Sequence, residues 1–254
     1  MSCDGRPLRD FPPTRLALRD PPGLLCVGGD LSPDRLLAAY RRGIFPWFSK
    51  GEPVLWWSPP ERGVFDLTQF GPSPRMRRWL RGCDWRVRAD LDFGEVMREC
   101  GRERDDGGRG WIFDEMVAAY TRLHALGHAH SIEVLDADGA RIGGVYGVSV
   151  GSAFFAESMY SRRSNASKVA LYALARWLRG HGIPIFDAQM PNPHLQSLGV
   201  SAWPRDAFEA VCAVLVDRPA GWPAGSWTAA FGVMPAAALA EPLPSRRADP
   251  VARA

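Results

Sequence analysis

Three strand-like segments, a long amphipathic helix and a fourth strand follow one another between residues 130 and 189, and no other run constrains the fold as much. HSIEVL, ARIGGVYGVSV and AFFAESMY have strand composition, and only a DADG and a GS turn separate them. Connections that short permit antiparallel pairing alone. SNASKVALYALARWLRGHG then carries Leu171, Leu174, Ala175 and Leu178 at i, i+3, i+4 and i+7, the apolar stripe of a helix. IPIFD follows directly. The expectation is an α+β chain with a mostly antiparallel sheet, the helix covering one face and residues 183–189 returning beside the meander.

That last strand ends in an unusual way. Ile183, Ile185 and Phe186 are apolar, yet Asp187 and Gln189 follow, and Pro191 and Pro193 stop the strand. Alternate residues of a strand share a face, so both polar side chains are expected to point the same way. A strand-ending loop with a capping Asp accounts for the pattern as well as a site does. Glu157, in FFAESMY, is a second carboxylate interrupting an apolar strand. If the two strands are neighbours, Glu157, Asp187 and Gln189 converge, a set suited to binding a cationic amine and handling its proton. The alternative is an ion pair of Glu157 with Arg162 or Arg163.

Residues 1–62 are rich in Pro, Gly and Trp and are expected to form a small N-terminal domain. They hold one good helix, with Ser32 as cap, Pro33 at its first position, Leu36, Leu37 and Tyr40 as apolar face and Gly43 as closure. GIFPWFSKGEPVLWWSPPERGVF, with Phe45, Trp47, Phe48, Trp56 and Trp57, either walls the core or lines a cleft for a flat ligand. A second domain spans 63–233, including short helices around Phe93, Val96 and Met97 and from Asp114 through Met116, Tyr120 and Leu123 to Gly127. ERDDGGRG reads as a loop, and 234–254, Ala- and Pro-rich, as a disordered tail.

The formal net charge of +3 does not announce a nucleic-acid binder. Arg75, Arg77, Arg78 and Arg81 in SPRMRRWLRG are nevertheless gathered by helical spacing, as a solvated face or as a phosphate-contacting patch. Cys3, Cys26, Cys83, Cys100 and Cys212 are odd in number without CxxC spacing, which suits reduced thiols. The N-terminus has no signal-like apolar core and no segment approaches 18 apolar residues, so a cytoplasmic protein without membrane association is expected.

Absences narrow the chemistry. His124, His128 and His130 straddle Gly127 and share no helical face, so no metal site is expected. No GxSxG, GxxxxGK[ST], HIGH or KMSKS pattern occurs. A meander, a helix and then a strand beside the meander is the order of an N-acetyltransferase-like (GNAT-like) sheet. A coenzyme-A-dependent member would carry [RQ]xxGx[GA] before the helix, its amides cradling the pyrophosphate. Here that connection reads RRSNASK, without glycine. An acyl donor other than acyl-coenzyme A is expected.

Four blocks in order carry a resemblance: GLLCVGGDLSPDRLLAAYRRGIFPWFSKGEPVLWWSPPERGVF, WIFDEMVAAYTRLHALGHAHSIEV, GGVYGVSVGSAFFAESMYSRRSNASKVAL and DAQMPNPHLQSLGV. Over roughly residues 20–210 the chain resembles the leucyl/phenylalanyl-tRNA–protein transferase family. The resemblance implies a small N-terminal domain on a GNAT-like C-terminal catalytic domain. It implies transfer of Leu or Phe from leucyl- or phenylalanyl-tRNA to the N-terminal Arg or Lys of a protein, which is then degraded by the N-end rule. The ester of a charged tRNA is already activated, so neither ATP nor any cofactor is expected, and a monomer suffices.

By the same resemblance Asp187 and Gln189 are the catalytic pair: the amide, oriented by the Asp, polarises the ester, and the Asp helps take a proton from the amine. An alternative gives the proton relay to the tRNA ribose. Glu157 matches a glutamate near the acceptor's N-terminal Arg, with Asn192 and Tyr120 among the substrate-binding residues. Val145, Phe154 and Met159 match the apolar pocket for the Leu or Phe side chain, where β-branched side chains clash. Trp47 and Trp111 match tryptophans that stack on the terminal adenosine, and Arg75, Arg77, Arg78 and Arg81 a basic cluster on the acceptor stem. Tyr160 stands where Phe is usual, Ala188 replaces a common Cys, Val200 replaces Ala, and Trp203 a smaller apolar residue. None of these departures removes a catalytic group.

Overall fold

The computed structural model describes residues 11–102 and 112–241. Trp111, all of ERDDGGRG and residues 242–254 lie outside the described residues. In chain order the elements are β1 (Leu24–Val27), α1 (Pro33–Tyr40), β2 (Phe45–Pro46), β3 (Leu55–Trp57), β4 (Glu61–Asp66), α2 (Pro74–Arg81), β5 (Arg86–Ala89) and α3 (Phe93–Gly101). They continue as α4 (Asp114–Ala125), β6 (Ala129–Leu135), β7 (Arg141–Val150), β8 (Ala153–Ser161), α5 (Ala166–Gly180), β9 (Ile185–Asp187) and α6 (Pro193–Ser197). β10 (Ser201–Pro204), α7 (Arg205–Asp217), α8 (Thr228–Phe231) and β11 (Met234–Pro235) complete the order.

Among the described residues β1, β3 and β2 form a three-stranded sheet built wholly from residues before Ser58. Trp56 is fully buried there, its Nε1 donating to the Gly28 carbonyl at 2.9 Å. The second sheet has eight strands in the order β10-β4-β9-β8-β7-β6-β5-β11. Its meander β5–β8 is antiparallel as the short turns require, and β9 joins β8 in parallel through the α5 crossover. This is the acetyltransferase-like order.

Both faces of the large sheet are covered. α5 lays Val169, Leu171, Leu174 and Leu178 on one face, in a core shared with Met76 and Leu80 of α2. The other face meets Leu36 and Tyr40 of α1, Phe93 and Val96 of α3, Tyr120 and Leu123 of α4 and Phe208 and Leu215 of α7. Residues 234–241 correct the expectation of a tail beginning at 234. β11 pairs with β5, and Ala236, Leu239 and Ala240 are buried against α2 and α5. Alanines fill a close approach between helices that larger side chains could not, so an Ala-rich stretch reads as featureless while packing well.

Two local features shape the centre of the sheet. The β7–β8 register passes from Tyr146↔Ser158 to Gly147↔Ala156, so Glu157 is the extra residue of a bulge. Gly147 is required at this point, because a Cβ would run into the Phe155 carbonyl and the Phe154 ring. The parallel β8–β9 contact is confined to Phe155↔Asp187, and β9 then ends while β8 continues to Ser161. The sheet therefore splits at mid-height.

Candidate active site

The split opens a cavity of about 270 Å³. Ala156, Glu157 and Met159 of β8 form one wall, and Ala188, Gln189 and Met190 beyond β9 the other. Val145, Phe65 and Leu171 line the interior, and Phe45, Pro46 and Trp47 reach in from the N-terminal sheet. The aromatic-proline segment thus has both roles: Trp56 is core, whereas Phe45 and Trp47 edge the cavity. Trp47 is 39% exposed, with its ring 5.7 Å from that of Trp57.

Glu157 is held by two groups, with a third behind them. Tyr40 donates to its Oε1 at 2.8 Å, Gln189 Nε2 donates to the same oxygen at 2.7 Å, and the Tyr40 and Tyr120 hydroxyls lie 2.5 Å apart. Burial is the largest effect on its acidity and pushes it up to about 8, with the Asp187 charge adding and Tyr40, Arg62 and Gln189 opposing. The same surroundings hold the Tyr40 and Tyr120 hydroxyls well above the usual phenol range, burial first and the Glu157 charge second. An ion pair with Arg162 or Arg163 is excluded as the role of Glu157, since Arg162 meets Glu99 and Arg163 meets Asp136.

Asp187 and Gln189 do not share a face. The strand ends at Asp187, Gln189 has φ 54°, and the alternation expected of a continued strand stops there. Asp187 is 1% exposed, and Arg62 takes both its oxygens, Nε at 3.1 Å and Nη2 at 2.5 Å. Arg62 also donates to the Gly43 carbonyl and lies over the Phe45 and Phe208 rings. Burial pushes the Asp187 carboxyl up, while the Arg62 guanidinium and the Gln189 backbone N–H favour its ionised form. The Asp side chain therefore fixes the Gln189 backbone, and Glu157, in place of Asp187, orients the Gln189 amide.

The remaining residues divide. Val145 and Met159 line the cavity, and Asn192 does so at its exposed edge while capping α6 through Leu195 N–H at 2.9 Å. Tyr120 is buried behind Glu157. Phe154 does not line the cavity: it packs 5.7 Å from Trp227 in the core beneath the sheet, because the bulge comes after it. Arg75, Arg77, Arg78 and Arg81 are all exposed on α2, whose Met76 and Leu80 are buried. Arg62 and Tyr40 escaped the sequence reading. A single Arg immediately before the apolar run GVF was the only signal of the first, and Tyr40 read as one more core residue.

Asp90, His124 and His130 offer ligand atoms within 4.8 Å of one another. They fit a hydrogen-bond network better than a metal. His130 spends Nδ1 on Asp90 at 2.9 Å and Nε2 on the Gly127 carbonyl at 3.2 Å, and His124 spends Nδ1 on the Ala129 carbonyl at 2.8 Å. Cys26, Cys83, Cys100 and Cys212 form no disulfide among the described residues. No described helix is long and apolar enough to cross a membrane.

The sheet has the acetyltransferase-like order and is split over a cavity with a buried carboxyl in its wall. Residues 64–213 match the leucyl/phenylalanyl-tRNA protein transferase family, and residues 29–60 match that family's N-terminal domain. The chain belongs to this family and is an aminoacyl-tRNA–protein transferase. It is 50% identical over 240 residues to the leucyl/phenylalanyl-tRNA–protein transferase of Xanthomonas axonopodis pv. citri, covering 94% of this chain and 95% of the relative. Identity to the Xylella fastidiosa enzyme is 50% over 220 residues, covering 85% and 90%. Among solved structures, FemX is similar with a TM-score of 0.42 at 13% identity, covering 67% of this chain and 66% of that one. A GCN5-related N-acetyltransferase from Sphaerobacter thermophilus is similar with a TM-score of 0.34 at 17% identity, covering 70% and 56%.

Proposed function

We propose that the protein moves Leu or Phe from aminoacyl-tRNA to the N-terminal Arg or Lys of acceptor proteins in the cytoplasm, creating a degradation signal read by the N-end rule. The observation that carries this reading is Glu157, held between Tyr40 and Gln189 in the wall of a cavity otherwise largely apolar. A carboxyl there can meet a cationic acceptor, while Val145, Met159 and Leu171 offer an unbranched apolar space to the donor side chain. Trp47 at the edge is suited to stack on the terminal adenosine.

In the transfer step the acceptor α-amine attacks the ester carbonyl carbon. A C–N bond forms, the C–O bond to the tRNA ribose breaks, and the ribose oxygen leaves with a proton. Because Gln189 spends Nε2 on Glu157, its carbonyl oxygen is the acceptor available to the amine N–H. Asp187, with both oxygens on Arg62, acts as a positioning residue, and the proton passes to Glu157 or to the ribose. Exposed Arg75, Arg77, Arg78 and Arg81 are suited to the phosphates of the acceptor stem.

The test incubates the protein with radiolabelled Leu-tRNA or Phe-tRNA and matched proteins beginning with Arg, Lys or Ala. Label is expected on the Arg and Lys proteins alone. Equal labelling of the Ala protein, or none of any, overturns the reading.

A further inference from the structure

A second cavity, of about 180 Å³, lies beyond the aromatic wall of the first, and of its lining only Arg77 has a role assigned above. Its lining joins Arg77 of α2 to Arg176 and Arg179 of α5. Tyr172, Ala175, Arg176 and Arg179 fall at i, i+3, i+4 and i+7, so one face of α5 supplies that side. Arg179 is anchored by donating Nη1 to the Leu67 carbonyl at 3.0 Å. The Nη1 of Arg176 is buried and has no hydrogen-bond partner among the described residues. Glu241 is the one carboxylate in the lining, and no described ion pair links it to these arginines. Three guanidiniums around a small cavity, one with a buried donor unmet among the described residues, make a set suited to an anion.

Its position selects the anion. Leu171 lines the first cavity, and Tyr172 to Arg179 line the second, so the two sites lie along one helix. At about 1.5 Å per residue, Arg176 and Arg179 stand roughly 7 to 12 Å along the axis from Leu171. Phe65 and Phe70, whose rings are 4.7 Å apart, form the partition. An aminoacyl group seated in the first cavity therefore leaves the backbone of its last few nucleotides within reach of the second. We propose that Arg77, Arg176 and Arg179 form a phosphate pocket for the single-stranded 3′ end of the donor tRNA. It deepens the function proposed above, from which it takes the identity of the donor.

The test measures binding of aminoacyl-tRNA by the full chain across a salt series, for wild type and Arg176→Gln. The variant is expected to bind on the order of tenfold more weakly, as for one lost charge-assisted hydrogen bond. Its slope of log K against log salt should fall by about 0.7. Affinity for 3′-aminoacyl adenosine, which has no backbone phosphate, should fall by much less. Arg179→Gln, on α5 and outside the α2 cluster, gives the same readout should Arg176→Gln melt early. A wild-type slope and affinity in both variants overturns the pocket while leaving the transferase reading intact. If wild type binds inorganic phosphate at Arg176 but the tRNA slope is indifferent to the substitution, the assignment to tRNA is likewise overturned. Failure of wild type to bind aminoacyl-tRNA removes the function proposed above and the pocket with it.

Discussion

Gln189 donates its side-chain amide to Glu157 at 2.7 Å, while its nearer neighbour in sequence, Asp187, has both carboxylate oxygens on Arg62. The two members of the DxQ motif therefore carry separate duties. One secures the interior, and the other meets the cavity.

Asp187→Ala is expected to leave Arg62, 1% exposed, as an unpaired buried charge, at a cost of about 3 to 5 kcal/mol. Gln189→Gly deletes the amide but relieves the left-handed backbone at φ 54°, so its stability should stay within about 1 kcal/mol of wild type. Both should slow transfer by on the order of 100-fold. Urea unfolding and single-turnover transfer separate the two effects. Equal stability of the two variants would sink the division of duties.

The Glu157 carboxyl, raised from 4.5 to about 8, gives a pH signature. Its folded pKa lies above its unfolded one, so its contribution to stability is complete below about pH 4.5 and is lost as pH rises through about 8. Glu157→Gln should therefore gain stability relative to wild type as pH rises from about 4.5 to about 8, and keep that gain above it. In transfer, the carboxylate is the form that meets a cation, so wild-type kcat/KM for the acceptor should rise with an inflection near the same pKa. An α-amine titrates at about 7.7 to 8.0 as well. Glu157→Gln isolates that contribution, and an identical profile in the variant counts against Glu157.

Met159 lines the cavity together with Val145 and is flexible where a β-branched residue would be stiff. Met159→Ala enlarges the space, which should harm the smaller, looser-fitting Leu more than Phe. In competition between the two charged tRNAs the product ratio should move toward Phe by about tenfold, the scale of one or two methylenes in an apolar pocket. An unchanged ratio places the donor side chain elsewhere.

The fold was legible where the signals were local. Two turns too short for a crossover forced the β6–β8 meander, and the Leu171–Leu178 stripe identified α5. The site was legible only in part, because its geometry depends on interruptions of regular structure. Strand parity put Asp187 and Gln189 on one face until the positive φ at Gln189 broke the parity. Parity likewise could not reveal that the bulge at Glu157 turns Met159 toward the cavity and leaves Phe154 in the core. Arg62 and Tyr40 reach the site from 125 and 117 residues away in sequence, a distance across which no periodicity speaks.

The α2 arginines offer the sharpest contrast between stability and binding. Arg75, Arg78 and Arg81 are exposed, and the helix is anchored by Met76 and Leu80 and by Ser73, whose hydroxyl accepts from Met76 N–H at 3.2 Å. Replacing any one of the three by Gln should therefore change unfolding free energy by no more than about 0.5 kcal/mol. If they contact the duplex acceptor stem, each lost phosphate contact flattens the salt dependence of tRNA binding by about 0.9 in log-log slope. The triple variant should lose most of its affinity at about 0.15 M salt while melting like wild type. Affinity and slope unchanged in the triple variant would reduce these arginines to a solvated helix face.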